Sequence, residues 1–136
     1  MMNRKQNRIL LIDDDEPTNF MSKIIIQKAD ENSIPSVMQN PKSALNILKN
    51  ESINIEEIPD LIFLDINMPS MNGWDFLDEY KDLEIHKRKN ILLYMLTTSM
   101  NDDDDVKSKE YSCVNGFMVK PLTVKSYSQI VNKHFK

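Results

Sequence analysis

The chain has 136 residues, of which 40% are hydrophobic and 28% are charged, and its formal net charge is −4. These values fit one soluble globular domain with a real core, and the acidic balance argues against direct binding to nucleic acid, which needs a basic face. The only cysteine, Cys113, cannot form a disulfide within the chain, and no segment approaches the roughly 20 apolar residues of a membrane span. We therefore expect a cytoplasmic protein without membrane contact.

The chain opens with a predicted strand, an acidic loop and a helix. Residues 9–12 are wholly apolar and branched, and they stop abruptly at the polar residues 13–16, which indicates a strand buried on both faces. Pro17 suits the first turn of a helix. The apolar positions of that helix recur at helical spacing at Phe20, Ile24 and Ile25.

A second strand-and-helix unit follows. Residues 34–38 predict a strand, and Pro35 favours a position at the edge of a sheet. Asn40 and Pro41 form a cap-plus-proline helix start. The apolar face of this helix is predicted to consist of Ala44, Leu45, Ile47 and Leu48.

The third unit occupies the middle of the chain. Residues 61–64 are a second wholly apolar run, and it stops at Asp65. Residues 67–73 have strong turn chemistry, and Trp74 stands at the start of the helix that follows. The apolar positions of that helix are Phe76, Leu77, Tyr80 and Leu83.

Two more units complete the pattern. Residues 91–96 predict a strand that ends at Thr97, and residues 102–105 are the acidic start of a helix. Residues 116–119 predict the last strand, which ends at Lys120. The cap and the apolar positions of the last helix are Thr123, Tyr127, Ile130, Val131 and Phe135.

This alternation of strands and helices indicates an α/β fold with a parallel sheet covered by helices on both faces. No repeat or linker-like segment divides the chain. Residues 1–136 are therefore predicted to form a single domain, with a core from about residue 7 to residue 136. In such a sheet the carboxyl ends of all strands lie at one edge, where ligands bind.

Five polar residues directly follow predicted strands and are expected to meet at that edge: Asp13, Asp14, Asp65, Thr97 and Lys120. Crowded carboxylates repel one another unless a cation neutralises them, and oxygen ligands without histidine or cysteine suit Mg²⁺. The cation, the hydroxyl and the ammonium could bind a phosphoryl group, which a carboxylate could accept as an acyl phosphate. Each residue alone is more often a solvated cap or loop residue, but their combination favours a functional site.

Short motifs carry a family resemblance. They are LLIDD at residues 10–14, LIFLDINMP at 61–69, MNG at 71–73, LT at 96–97 and VKP at 119–121. Because these motifs occur in this order, the chain resembles the receiver domains of response regulators in two-component signalling, in particular the stand-alone chemotaxis type. The resemblance implies a flavodoxin-like, three-layer (βα)5 fold with a five-stranded parallel sheet in the order 2-1-3-4-5. It also implies a signalling domain, not an enzyme, which catalyses its own phosphorylation and dephosphorylation.

The resemblance assigns roles around the acceptor. Asp65 matches the residue that accepts the phosphoryl group, Asp14 the direct ligand of Mg²⁺, and Asp13 the ligand that reaches the metal through water. Asn67 matches the position whose backbone carbonyl completes the metal site. Lys120 matches the lysine that contacts the phosphoryl group.

Further roles concern the switch. Thr97 matches a hydroxyl that turns towards the phosphoryl group, and Phe117 an aromatic residue that then swings inward. The peptide bond between Lys120 and Pro121 is typically cis in the family. Thr98 stands where a smaller residue is usual, which bears on phosphoryl access.

Other polar positions are interpreted individually. Asn67 and Ser99 stand where side chains tune the attack of water on the phosphoryl group. Asp15 is interpreted as an exposed loop residue rather than a metal ligand. Residues 102–105 are interpreted as the charge pattern of a helix N-terminus rather than a second metal site.

The resemblance implies a sensor histidine kinase or phosphotransfer protein as the donor, and a downstream protein as the target of a switched face. The protein would be a monomer or a phosphorylation-dependent dimer, and because the chain ends after its last predicted helix we expect no output domain. Two alternatives remain: a binding module that no longer turns over phosphate, and a phosphohydrolase with an aspartyl nucleophile. The second is disfavoured because Asn67 stands where such enzymes place a general acid.

Overall fold

The computed structural model describes residues 6–98 and 102–135, which alternate between strands and helices. The strands are β1 (Asn7–Ile12), β2 (Ser33–Met38), β3 (Leu61–Asp65), β4 (Leu92–Thr97) and β5 (Gly116–Val119). The helices are α1 (Glu16–Ala29), α2 (Pro41–Lys49), α3 (Gly73–Tyr80), α4 (Asp102–Ser108) and α5 (Val124–His134). Short 3₁₀ helices lie at Ile55–Glu57 and Glu84–Lys87. All predicted strands and helices are therefore confirmed.

The strands form one parallel sheet in the order β2-β1-β3-β4-β5, which confirms the predicted fold class and strand order. β1 pairs with β3, with Ile12 opposite Leu64, although β2 lies between them in sequence. The order of the strands reverses at this pair, so a crevice forms at the carboxyl ends of β1 and β3. Pro35 lies in β2 at the edge of the sheet, as predicted.

Two hydrophobic cores lie on opposite faces of the sheet because side chains alternate along each strand. In β3, Ile62 and Leu64 belong to the core with α2 and α3, whereas Leu61 and Phe63 belong to the core with α1 and α5. Every residue of β3 is buried. This burial fixes the position of the strand and thus of Asp65, its last residue.

The apolar faces predicted for α1 and α2 are partly wrong. Phe20 and Ile24 are 65% and 43% exposed, and Ile47 of α2 is 48% exposed. The buried residues of α1 are Asn19, Ser22 and Ile26. Successive residues of a helix are rotated by about 100°, so a helix that turns Asn19 towards the sheet turns Phe20 away from it. Among the described residues, no helix has the length and apolarity needed to cross a bilayer.

Candidate functional site

An acidic cluster lies at the carboxyl edge of the sheet, at the crevice between β1 and β3. Asp13 and Asp14 directly follow β1, and Asp65 ends β3. One carboxylate oxygen from each lies within 4.8 Å of the others. Asp13 and Asp65 are buried, whereas Asp14 is exposed. The fold thus brings together the three carboxylates that the sequence predicted to meet.

Lys120 follows β5 and inserts its ammonium among these carboxylates. Its Nζ lies 2.7 Å from Asp13 Oδ2 and 3.0 Å from Asp65 Oδ1. The backbone N–H of Lys120 donates to the carbonyl of Thr97 at 2.7 Å, which joins the ends of β4 and β5. The Lys120–Pro121 peptide bond is cis, which confirms the expectation from the resemblance.

The pKa values of the cluster reflect its burial and its charges. Burial raises the pKa of Asp65, and the nearby charge of Asp13 adds to that, although the hydrogen bond from Lys120 acts against both. Burial acts to lower the pKa of Lys120, but its hydrogen bonds to the two carboxylates outweigh burial and raise it. The ammonium is thus held in its charged form, while the ionised form of Asp65 is disfavoured.

The loop between β1 and α1 holds the acidic pair. The backbone N–H of Asp15 donates to Asp13 Oδ1 at 3.0 Å, and the Asp15 carboxylate caps α1 by accepting a hydrogen bond from the Thr18 backbone N–H. The side-chain hydrogen bond from the Thr18 hydroxyl, together with the backbone bond, lowers the pKa of Asp15. The side chain of Asn19 donates to the carbonyl of Asp13 at 2.8 Å. Asp15 is exposed, as predicted, and acts as a helix cap.

The turn after β3 brings α3 close to the acceptor. The backbone N–H of Asn67 donates to Asp65 Oδ1 at 3.4 Å, while the Asn67 side chain is exposed. Gly73 begins α3, and its N–H donates to the carbonyl of Ile66 at 2.7 Å. A Cβ at position 73 would lie only 2.9 Å from the Asp65 carbonyl oxygen. Only glycine permits this approach without a shift of the backbone.

The predicted switch residues lie at the end of β4 and in β5. Thr97 is buried at the end of β4 and is linked to Lys120 through the backbone. Phe117 is half-buried in β5, and its ring centroid lies 6.5 Å from that of Trp74. Thr98 is exposed. Ser99 lies outside the described residues, so its predicted influence on phosphoryl lifetime stays a prediction.

The acidic residues of α4 stay apart from this cluster. Asp102, Asp103, Asp104 and Asp105 form the first turn of the helix, where negative charge is favourable. In the described part of the chain, the carboxylate group that could hold a metal ion consists of Asp13, Asp14 and Asp65 alone.

The donor set of the cluster fits a divalent cation. Among the described residues, the three carboxylates and the ammonium of Lys120, which contacts Asp13 and Asp65, together carry two net negative charges when all are ionised. Carboxylate oxygens without histidine or cysteine are the ligands of Mg²⁺, a cation that usually retains several waters and uses few protein carboxylates. Asp13, Asp14 and Asp65 are the residues that would hold such an ion.

Comparison with known proteins decides the family. The sequence-family model for the response regulator receiver domain matches residues 9–132 of this chain. The chain belongs to this family. As a receiver domain it is a signalling domain of two-component systems. Receiver domains bind Mg²⁺ at an acidic pocket and work with histidine kinases or phosphotransfer proteins.

Individual relatives agree with this assignment. The receiver domain is 31% identical over 114 residues to protein-glutamate methylesterase/protein-glutamine glutaminase 3 of Burkholderia thailandensis, covering 84% of this chain but 29% of that protein. It is 27% identical to response regulator Rcp1 of Synechocystis, covering 90% and 82% of the two chains. A two-component response regulator from Cytophaga hutchinsonii superposes with a TM-score of 0.83 at 29% identity, covering 96% and 97%.

Sequence reasoning missed one residue that supports the receiver site. Asn19 is 4% exposed and holds the backbone of Asp13, but it was not singled out as functional. Its signal in the sequence is weak, because a polar residue in a helix is usually solvated. Only its position, one turn after Asp15 at the start of α1, connects it with the acidic pair.

Proposed function

We propose that this receiver domain accepts a phosphoryl group on Asp65 from the phosphohistidine of a sensor histidine kinase or phosphotransfer protein, in a Mg²⁺-dependent reaction. The observation that supports the proposal best is that the ammonium of Lys120 contacts two of the carboxylates at once. Lys120 Nζ contacts both Asp65 and Asp13, at 3.0 Å and 2.7 Å. It therefore links the proposed nucleophile to the proposed metal-binding pair, where a transferred phosphoryl group would need positive charge.

The transfer requires little covalent chemistry from the protein. A carboxylate oxygen of Asp65 attacks phosphorus and forms the acyl phosphate, while the P–N bond to the imidazole breaks. The electron pair of that bond stays on the ring nitrogen, which takes up a proton from solvent. Lys120 supplies positive charge to the phosphoryl oxygens, and the Thr97 hydroxyl can donate a hydrogen bond to them. A divalent cation bound by the three carboxylates and the carbonyl of Asn67 would add further positive charge there.

The proposed output is a switch in a protein-binding face formed by α4, β5 and α5. Thr97 and Lys120 are joined by a backbone hydrogen bond of 2.7 Å, so a rearrangement around the phosphoryl group bears directly on β5. Phe117 lies in β5 and packs beside Trp74 at the start of α3. We propose that Thr97 turns towards the phosphoryl group and that Phe117 follows, which changes the surface offered to a downstream protein.

The surface beside the site supports a protein donor. Phe20 and Met21 of α1 are 65% and 54% exposed, on the helix that begins just after the acidic pair. A hollow of about 420 Å³ runs from Met21 and Pro17 to Lys120 and Leu122. Exposed apolar side chains next to a reactive group are typical of a surface that a partner protein covers.

The acceptor is tested by incubating the protein with Mg²⁺ and either acetyl phosphate or phosphoramidate, which carries the same P–N bond type as phosphohistidine. Intact mass spectrometry should show one phosphate adduct on the wild type and none on Asp65→Asn. The matched control is Asp15→Asn, which alters a neighbouring acid but retains a good helix cap and should be modified like the wild type. Equal adducts on Asp65→Asn and the wild type would refute the proposal.

A further inference from the structure

Asn19 is a buried amide that makes a specific bond to the acidic pair. It lies in the first turns of α1, is 4% exposed, and donates from Nδ2 to the backbone carbonyl of Asp13 at 2.8 Å. Burying an amide is unfavourable unless its hydrogen bonds are satisfied, so this bond is part of the reason that α1 turns Asn19 inward. The sheet-facing position could otherwise hold an apolar residue.

The carbonyl that Asn19 holds belongs to the peptide unit between Asp13 and Asp14. Because a peptide unit is planar, fixing its oxygen also fixes the backbone nitrogen of Asp14. Asp13 has further anchors, since its side chain accepts hydrogen bonds from Asp15 N and from Lys120. The side chain of Asp14 makes no hydrogen bond or ion pair with another residue in 6–98 and 102–135. Its placement therefore depends on the backbone.

The three carboxylates repel one another, so something must hold Asp14 in place before a cation arrives. We propose that Asn19 is a positioning residue that sets the Mg²⁺ affinity of the site by fixing the peptide between Asp13 and Asp14. This inference rests on the proposed Mg²⁺-dependent function and deepens it. It assigns Asn19 no contact with the metal or with the phosphoryl group.

A purely structural role makes a different prediction. If Asn19 only anchored α1, its loss would lower the stability of the fold but leave Mg²⁺ binding to the folded protein unchanged. If Asn19 positions the pair, its loss weakens Mg²⁺ binding as well. Residues that orient metal ligands from behind typically contribute about 10- to 100-fold to metal affinity.

The experiment measures Mg²⁺ binding by calorimetry and metal-free stability by urea denaturation in EDTA. Asn19→Leu keeps the size of the side chain but removes the donor, and Asn19→Ser removes the donor with a residue too short to reach Asp13. Both should bind Mg²⁺ about tenfold more weakly than the wild type. Ser22→Ala is the matched control, since it removes a polar group one turn further along the same buried face and should retain wild-type affinity.

Two different outcomes would contradict either the proposed metal binding or the positioning role of Asn19. A wild type that binds no Mg²⁺ would overturn the metal part of the proposed function. A wild type that binds Mg²⁺, with Asn19→Leu and Asn19→Ser binding it equally well, would overturn the positioning role alone.

Discussion

The two edges of the sheet each contain a partly buried lysine paired with buried aspartate, but the two groups differ in composition. At the amino edge, Lys89 Nζ lies 2.9 Å from Asp60 Oδ1, and the two side chains are 15% and 5% exposed. At the carboxyl edge, Lys120 is 13% exposed and contacts both Asp13 and Asp65. The same chemical groups therefore occur at both edges, at similar depth.

The difference lies in how completely the charges are matched. Asp60 pairs with the Lys89 ammonium and also accepts a hydrogen bond from the Arg8 backbone N–H at 2.8 Å, while Lys89 also donates to the carbonyl of Ile58 at 2.8 Å. Each member of this pair therefore has a hydrogen bond to the backbone in addition to the ion pair. At the carboxyl edge, the described residues provide three carboxylates and one ammonium, so negative charge remains. Excess carboxylate charge of this kind is what a cation-binding site needs, and the acidic cluster could hold a metal ion.

The largest expected effect is at the amino edge. Lys89→Met removes the Lys89 ammonium from the buried carboxylate of Asp60 and should lower the free energy of unfolding by about 3 to 5 kcal/mol, measured by urea denaturation. Lys87→Met is the matched control, because it removes an exposed ion pair with Glu84 and should change stability by less than about 1 kcal/mol. Equal effects of the two substitutions would show that the amino-edge pair contributes no more than a surface pair.

Lys120→Met extends this comparison to the carboxyl edge. It removes the ammonium that contacts Asp13 and Asp65 and should also lower stability in metal-free buffer. Added Mg²⁺ should restore a large part of that loss, because it supplies positive charge to the same carboxylates. The loss caused by Lys89→Met should not be recovered, since among the described residues the amino edge has no cluster of three carboxylates that could bind the ion. Recovery of both variants by Mg²⁺ would contradict the distinction between the two edges.

The next effect concerns the wild type with and without Mg²⁺. A ligand that binds only the folded state stabilises it, by about 2.7 kcal/mol at a concentration 100 times its Kd. Asp14→Asn should strongly reduce the stabilisation by Mg²⁺. The protein should still fold, because Asp14 is exposed. Denaturation curves recorded over a series of Mg²⁺ concentrations measure the gain in the free energy of unfolding for the wild type and for Asp14→Asn. An unchanged increment in Asp14→Asn would exclude Asp14 as a ligand.

The smallest effect is the dependence of stability on pH. Burial first, and the charge of Asp13 second, raise the pKa of Asp65 above the ordinary value of about 4 that it has in the unfolded chain. The folded state therefore binds the proton more tightly, so this contribution to stability is present below about pH 4 and is lost as pH rises through the folded pKa.

Asp65→Asn removes that titration and should be more stable than the wild type at neutral pH in EDTA. The difference should shrink as pH falls towards 4, as free energies of unfolding across this range would show. A difference that is constant with pH would mean that Asp65 titrates alike in the folded and unfolded chains.

The elements and the site could be predicted because they depend on strong local patterns. Apolar runs such as residues 61–64 define buried strands, and parallel strands must bring Asp13, Asp65 and Lys120 to one edge. The orientation of α1 could not be predicted in this way. Its apolar residues Phe20 and Ile24 suggested one face, but tertiary packing and the bond from Asn19 to Asp13 selected another.

The ion pair at the amino edge also escaped sequence reasoning. Asp60 directly precedes β3, and Lys89 precedes β4 in a run of polar residues. Nothing in either local pattern indicates that the two side chains pair. Their pairing follows from the adjacency of the two strands, which only the three-dimensional arrangement shows. Long-range polar contacts of this kind have no periodicity to reveal them.

The hydrogen bond between Lys120 and Asp13 joins residues that are 107 positions apart. During synthesis the three carboxylates leave the ribosome first, and the ammonium follows only after β5 has been made. A nascent or truncated chain that stops before Lys120 therefore contains the proposed acceptor without the positive charge beside it. If Asp65 is the acceptor, as proposed, the complete arrangement of charges around it exists only after residue 120 has been made.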